Sequence, residues 1–218
     1  MQLKIIYKVL TIISAASVLI PICFSIWRIK TLNKSLRVLF FYLLLCLISD
    51  ALSFTVMDYK SSINTIFNIF TFIECACVCF IYFLEYRKVI TKLFVILLFF
   101  LFMGYSIKNF ILEGRISEND SKVNAFEAGV IILISGMYFI KVLFDESISQ
   151  PEKHYFYWIN LAFTVYFGSA FLLFLTNDFI EHCSHKTTRL LWSIYLIINI
   201  LSNILISTGI CKMKATQR

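Results

Sequence analysis

Residues 90–110 read ITKLFVILLFFLFMGYSIKNF, and no charge interrupts them between Lys92 and Lys108. The apolar residues fill every face of the helix this stretch would form, with no polar stripe to mark a solvated side. Roughly 20 such residues are what a helix needs to cross a hydrocarbon core. Working outward, comparable blocks recur at 5–27, 37–57, 63–85, 124–144, 155–178 and 189–211. The reading is an all-α polytopic membrane protein, a compact bundle of about seven transmembrane helices. Connections are short, and no Gly/Ser-rich linker or soluble domain interrupts residues 1–218, so a single transmembrane domain is expected. The longest connection, Glu113 to Lys122, is polar enough for a surface loop; of the two prolines, Pro21 falls within the first helix and Pro151 before the sixth.

Composition agrees. Apolar and aromatic residues make up 60% of the 218 positions and charged residues 15%. A soluble domain of this size exposes too much of its surface to hide that much apolar area. The net charge of +7 does not point to nucleic acid, because Lys and Arg gather at the ends of the apolar blocks, as membrane anchors do. Most cysteines (Cys23, Cys46, Cys75, Cys77, Cys79) lie inside those blocks, where the thiol behaves as a small hydrophobe and not as half of a disulfide framework. The segment Met1–Lys8 and its following apolar run imitate a signal peptide. The run extends from Val9 to Trp27 with no small-x-small cleavage site after it, so it reads as an uncleaved first helix.

Orientation follows from the loops. One side carries Arg28, Lys30, Lys34, Arg37, Arg87, Lys88, Lys92, Lys141, Lys153, Lys212, Lys214 and Arg218. The other carries Lys4, Lys8, Lys60, Lys108, Arg115, Lys122, Lys186 and Arg189. The first set is the larger, twelve of the 20 basic residues, and holds the Arg28–Arg37 cluster. The positive-inside rule then places the N-terminus outside and the C-terminus in the cytoplasm, in the inner (cytoplasmic) membrane.

Polar side chains within the blocks locate a candidate site, since hydrocarbon penalises them unless they face the bundle interior or water. Helix two carries Asp50, with Tyr42, Cys46 and Ser53 nearby on the helical wheel; Asn64, Asn68, Thr71, Cys75 and Cys79 share one stripe of helix three, beside Glu74, the deepest acid. Glu127 opens helix five next to Asn124, and Tyr138 and Lys141 fall on its face. Helix six puts Asn160 and Thr164 on one face with Tyr166 pointing elsewhere, and helix seven aligns Trp192, Tyr195, Asn199 and Asn203, with Ser202 close by. Helix four offers little beyond Gly104, Tyr105 and Ser106 and is expected at the periphery.

The candidate ligand-binding set is therefore Asp50, Asn64, Asn68, Glu74, Glu127, Trp192, Tyr195, Asn199 and Asn203, lining a polar pocket walled by helices two, three, five and seven and open to the outside. The competing reading is that the Asn and Ser residues serve only as glue between helices. No Lys or Arg reaches this depth, so the acids suit a cation, a proton or a neutral hydrogen-bonding ligand.

Other chemistry is weakly signalled. His182, Cys183 and His185, with Asp178 and Glu181 nearby, are weak metal-ligand candidates, their imidazoles able to share one side of a helical turn. No serine elbow, His-Glu-x-x-His or glycine-rich phosphate loop occurs, and no cofactor is implied. A retinal protein needs a lysine midway along its last helix, and Trp192–Cys211 has none. The Asn residues of helices three and seven resemble those of SWEET-type sugar transporters, but the hinge prolines of that group are missing.

Several patches resemble a family of small seven-helix integral membrane proteins of Bacteroidota, often encoded near sensor kinases. They are Asn64-Thr65-Ile66-Phe67-Asn68 leading to Phe72-Ile73-Glu74, Asn124-Ala125-Phe126-Glu127, Tyr157-Trp158-Ile159-Asn160 with Tyr166-Phe167-Gly168, and Trp192 through Asn203. The resemblance implies the seven-span fold and suggests sensing; it assigns chemistry to no residue. The expected function is a non-enzymatic membrane sensor or receptor-like module that signals through a cytoplasmic protein partner. The alternatives are a lysoplasmalogenase-like membrane hydrolase and a small proton- or cation-coupled transporter or channel.

Overall fold

The computed structural model of the chain describes residues 2–55, 60–114, 121–144 and 150–213. Among the described residues, seven helices are long and apolar enough to cross a membrane, and no strand occurs. In chain order the helices are α1 (Gln2–Ser17), α2 (Leu19–Trp27), α3 (Lys34–Thr55), α4 (Lys60–Glu85), α5 (Val89–Ile107), α6 (Ser121–Phe144), α7 (Tyr155–Leu175), α8 (Asn177–Glu181) and α9 (His185–Lys212). The first crossing, Ile5–Trp27, is shared by α1 and α2. The ends 56–57 expected for the second crossing, the loop 115–120 with Arg115, and the tail with Lys214 and Arg218 lie outside the described residues.

The break between α1 and α2 falls at Val18. Its cause is Pro21, which has no N–H to give to the carbonyl of Ser17 four residues earlier. The ladder resumes one residue on, where Ile22 N–H reaches the Val18 carbonyl at 3.3 Å.

Most helix ends differ from the sequence reading by a few residues, three of them at the ends of later crossings. The sixth crossing stops at Leu175 instead of 178, and the chain turns at Thr176 into the short α8. The last crossing starts at His185, four residues before the expected 189, because the side chain of Ser184 caps it by accepting from Thr187 N–H. The fifth starts at Ser121, not 124.

Alternate crossings run in opposite directions, as short connections require. α7 packs most extensively against α6 and α9, α3 against α4, and α1 and α2 both lie along α9. α4 is the most buried crossing, with 44% of its most apolar window inside the bundle, and it runs through the centre. The core beside it is aromatic: Tyr82 meets Phe156 edge-on at 5.4 Å and leans on Phe163 at 6.1 Å. Outward-facing apolar residues such as Ile90 and Phe144, each 82% exposed, form a surface that only lipid solvates well. The chain has the build of a multi-pass membrane protein. α5 lies toward the edge, as its composition implies, packed chiefly against α4 and α6.

Among the six glycines, the tightest approach of a neighbouring helix is at Gly209. A Cβ there would sit 2.8 Å from the Tyr155 carbonyl oxygen and 2.9 Å from Ile159 Cγ1. Gly168 has nothing within 4 Å of the same position. Gly209→Ala is expected to lower unfolding stability by about 1–3 kcal/mol through overpacking against α7. Gly168→Ala should be neutral or slightly stabilising, from helix propensity alone. Thermal unfolding of the two variants in one detergent checks the contrast.

Candidate functional site

A cavity of about 570 Å³ lies within the bundle, in the half nearer the N-terminus. Its position follows from which part of each crossing lines it. These are Thr11–Val18 early in the first, Tyr42–Phe54 late in the second, Asn64–Glu74 early in the third and Asn124–Ala128 at the start of the fifth. α7 contributes Ala162 to Phe174 from its later part, and α9 contributes Trp192 to Ile206.

Eight of the nine candidate residues line this one space: Asp50, Asn64, Glu74, Glu127, Trp192, Tyr195, Asn199 and Asn203. Asn68 does not. It is buried on the same helix but turned away from the lining. The walls also extend beyond the four crossings expected. The first contributes Thr11, Ser14 and Ala15, and α7 contributes a run of rings including Phe163, Tyr166 and Phe167. Tyr166, expected to point elsewhere, faces the cavity and receives a hydrogen bond from Tyr195 OH at 2.7 Å. Helical spacing within α7 set that expectation, and the rotation of α7 against α9 overrides it.

The acids are held differently. Tyr42 OH donates to Glu74 Oε1 at 2.7 Å, which ties α3 to α4 at mid-membrane. Glu127 Oε1 is buried without a hydrogen-bond partner among the described residues. Asp50 is half-buried and lies near the end of α3, with Ser53 and Phe54. The Glu74 carboxyl interacts electrostatically with both Asp50 and Glu127. Among the described residues no Lys, Arg or His lines the cavity, so its charge is of one sign.

The paired asparagines of α9 have partners that the sequence did not single out. Asn199 Nδ2 donates to Ser14 Oγ at 2.9 Å, and Asn203 Nδ2 donates to Ser17 Oγ at 2.7 Å. The i and i+4 spacing of the amides matches the i and i+3 serines of α1, so the two parallel helices are joined at two rungs. This is helix-to-helix glue, made by residues that also border the cavity. Ser202 adds a bond to the Ala162 carbonyl at 3.3 Å. Two further groups of the helix-three stripe serve packing as well: Thr71 Oγ1 donates to Asn124 Oδ1 at 3.1 Å, and Cys75 and Cys79 sit with sulfurs 3.9 Å apart. Asn160, with Oδ1 accepting from Tyr82 OH at 2.6 Å, stays outside the lining.

The histidines stand apart from this space. His182 and His185 are exposed and belong to different helices, His182 ending α8 and His185 opening α9 beyond the Ser184 cap. They therefore do not share a helical turn as their spacing suggested. Among the described residues no three His, Cys, Asp or Glu converge as metal ligands would. His154 lies at the opposite end, stacked on Tyr155 at 5.3 Å.

That opposite end is tied by a second polar cluster. Glu85, at the end of α4, accepts from Ser35 and from Tyr155, and Asn33 donates its amide to the same Tyr155 hydroxyl. Arg28 Nη1 donates to the Met213 carbonyl at 2.6 Å and so caps the end of α9. Of these residues the sequence reading used only Arg28, as a basic anchor in the first loop; Glu85, close to Arg87 and Lys88, offered no signal of an inward partner. No family model, curated protein or solved structure matches the chain.

Interhelical hydrogen bonds inside membrane proteins contribute about 0.6 kcal/mol on average and seldom more than about 1.7. A double-mutant cycle of Asn203→Ala with Ser17→Ala is expected to show coupling in that range, measured by denaturant unfolding in detergent. Independent, additive losses would mean that the two side chains do not meet.

Proposed function

We propose that this chain is a non-enzymatic, receptor-like sensor of the cytoplasmic membrane, with its N-terminus and cavity on the outer side. A small cationic or neutral ligand binds in the cavity, and a cytoplasmic protein reads the resulting change in helix packing. The observation that carries this reading is the convergence of polar side chains from six crossings on one space of about 570 Å³. Binding sites for organic ligands fall in the range of about 300–1,000 Å³, mostly apolar with a few placed polar groups.

The same helices reach from the cavity to the basic end. α3 and α4 are joined by Tyr42 and Glu74 at the cavity and by Ser35 and Glu85 at the far end. The α1–α2 crossing and α9 are joined by Ser14, Ser17 and their asparagines at one end and by Arg28 and Met213 at the other. A ligand that binds one arrangement of these pairs more tightly shifts the population toward it, and by no more than its difference in affinity. The exposed Lys34, Arg37, Arg87 and Lys88 at the far end offer a partner surface of one charge. The resemblance to proteins encoded near sensor kinases weighs the same way.

The alternatives fit less well. The hydrolase reading drew on histidines at one rim beside the acids, and among the described residues none of the three histidines lines the cavity. A channel needs a continuous path, whereas Tyr82, Phe156 and Phe163, each at most 2% exposed, fill the bundle toward the basic end.

The test is extraction of the full chain with its surrounding lipid, without detergent, followed by mass spectrometry of small molecules and proteins that co-purify. The wild type should carry an enriched small molecule that Glu74→Gln loses while its helix content is kept. A Glu74→Gln variant that is less heat-stable but holds the same molecule would assign Glu74 to packing. Proton or solute flux in reconstituted liposomes would replace the receptor by a transporter.

A further inference from the structure

Glu127 is 4% exposed, and its Oε1 is without a hydrogen-bond partner among the described residues, although the residue borders the cavity. Leaving a buried carboxyl oxygen unmatched costs stability, and a fold retains such a group most readily where something else supplies the donor. Glu74 lies in the same lining with Oε1 already receiving Tyr42 OH, and Asp50 stands nearer the rim. No basic side chain among the described lining residues balances these acids.

The remaining walls act in the same sense. Tyr166, Phe167, Phe174, Trp192 and Tyr195 present a band of rings, with Trp192 edge-on to Tyr195 at 5.9 Å and Phe174 beside Trp192 at 6.2 Å. Ring faces carry negative charge density and attract cations, while their area favours an apolar body. An anion is repelled by acids and rings alike. A bare metal ion asks for several oxygens at about 2.0–2.6 Å. Among the described residues no such group of acids converges, and the space of about 570 Å³ is that of an organic molecule.

Resting on the reading of the cavity as a ligand site, we propose that it binds a small organic amine in its ammonium form. The ammonium group sits at Glu74 and Glu127, and an apolar or aromatic body lies against the rings of α7 and α9. Glu127 Oε1 is covered by its neighbours, and it accepts from the ammonium once the side chain turns toward the cavity.

Three probes of one shape and different charge test this: 2-phenylethylamine, 2-phenylethanol and phenylacetate, titrated calorimetrically into the full chain in nanodiscs at neutral pH. The amine is expected to bind at least tenfold more tightly than the alcohol, and phenylacetate not at all. Glu127→Gln and Glu74→Gln should each bring the amine down to the affinity of the alcohol while leaving the alcohol unchanged. An alcohol that binds as tightly as the amine overturns the amine proposal and leaves the cavity standing as a site for neutral ligands. Preference for phenylacetate overturns it too, as does binding of none of the three; the co-purification experiment then decides the receptor reading separately. Should either Gln variant fail to fold, the comparison of the three probes on the wild type still decides the class. An amine preference that survives both variants removes the two acids from the site.

Discussion

Hydrocarbon offers no hydrogen-bond partner, and that constraint organises this bundle more than any single contact. A carboxyl, amide or phenol placed within a crossing has to find its partner inside the protein. Tyr42 finds Glu74, Asn203 finds Ser17, Asn199 finds Ser14 and Tyr82 finds Asn160, each across two helices. These bonds set which faces meet, because lipid tails compete on equal terms with apolar side chains for one another and give helices little reason to choose a face. The aromatic core around Tyr82, Phe156 and Phe163 then fills what the polar pairs have brought together.

The result has two ends of different character. Toward the N-terminal side the polar groups surround space, and among the described residues Glu127 Oε1 there is without a hydrogen-bond partner, as are Asn160 Nδ2 and Ser106 Oγ outside the lining. At the other side they close on one another: Glu85 takes the hydroxyls of Ser35 and Tyr155, Arg28 closes the end of α9, and Lys212 donates to the Glu152 carbonyl at 2.9 Å while lying 4.6 Å above the Trp158 ring. The proposed receptor reading asks long helices that share partners at both ends to carry an event in the cavity to the basic surface through rigid elements.

Much of the candidate site was legible because cost and depth are readable along one helix. Asp50, Glu74 and Glu127 stand out in apolar blocks, and the spacing of Trp192, Tyr195, Asn199 and Asn203 puts them on one face of α9 whatever that face meets. Ser14 and Ser17 were not legible, since a short hydroxyl satisfies itself on its own helix, as Ser25 does on the Pro21 carbonyl at 2.8 Å. Tyr166 was misplaced and Asn68 falls outside the lining for a related reason. A helical wheel gives angles about one axis, and the boundary of a cavity depends on how several axes are turned relative to each other. The histidine spacing misled in the same way, because the chain leaves one helix and begins another at Ser184.

By itself the sequence determined that the chain has about seven segments fit to cross a membrane, that the fourth belongs at the periphery and that the acids of the bundle lack basic company at their own depth. Those properties depend on transfer of each segment from water to lipid, a sum over local residues that needs no knowledge of neighbours. Only the tertiary structure decided that six crossings share one space, that α9 is joined to α1 through asparagine and serine, and that Glu127 keeps an oxygen without a partner among the described residues. These depend on the rotation and stagger of helices about one another, where many packings of equal apolar cost compete and the matching of a few polar groups chooses between them.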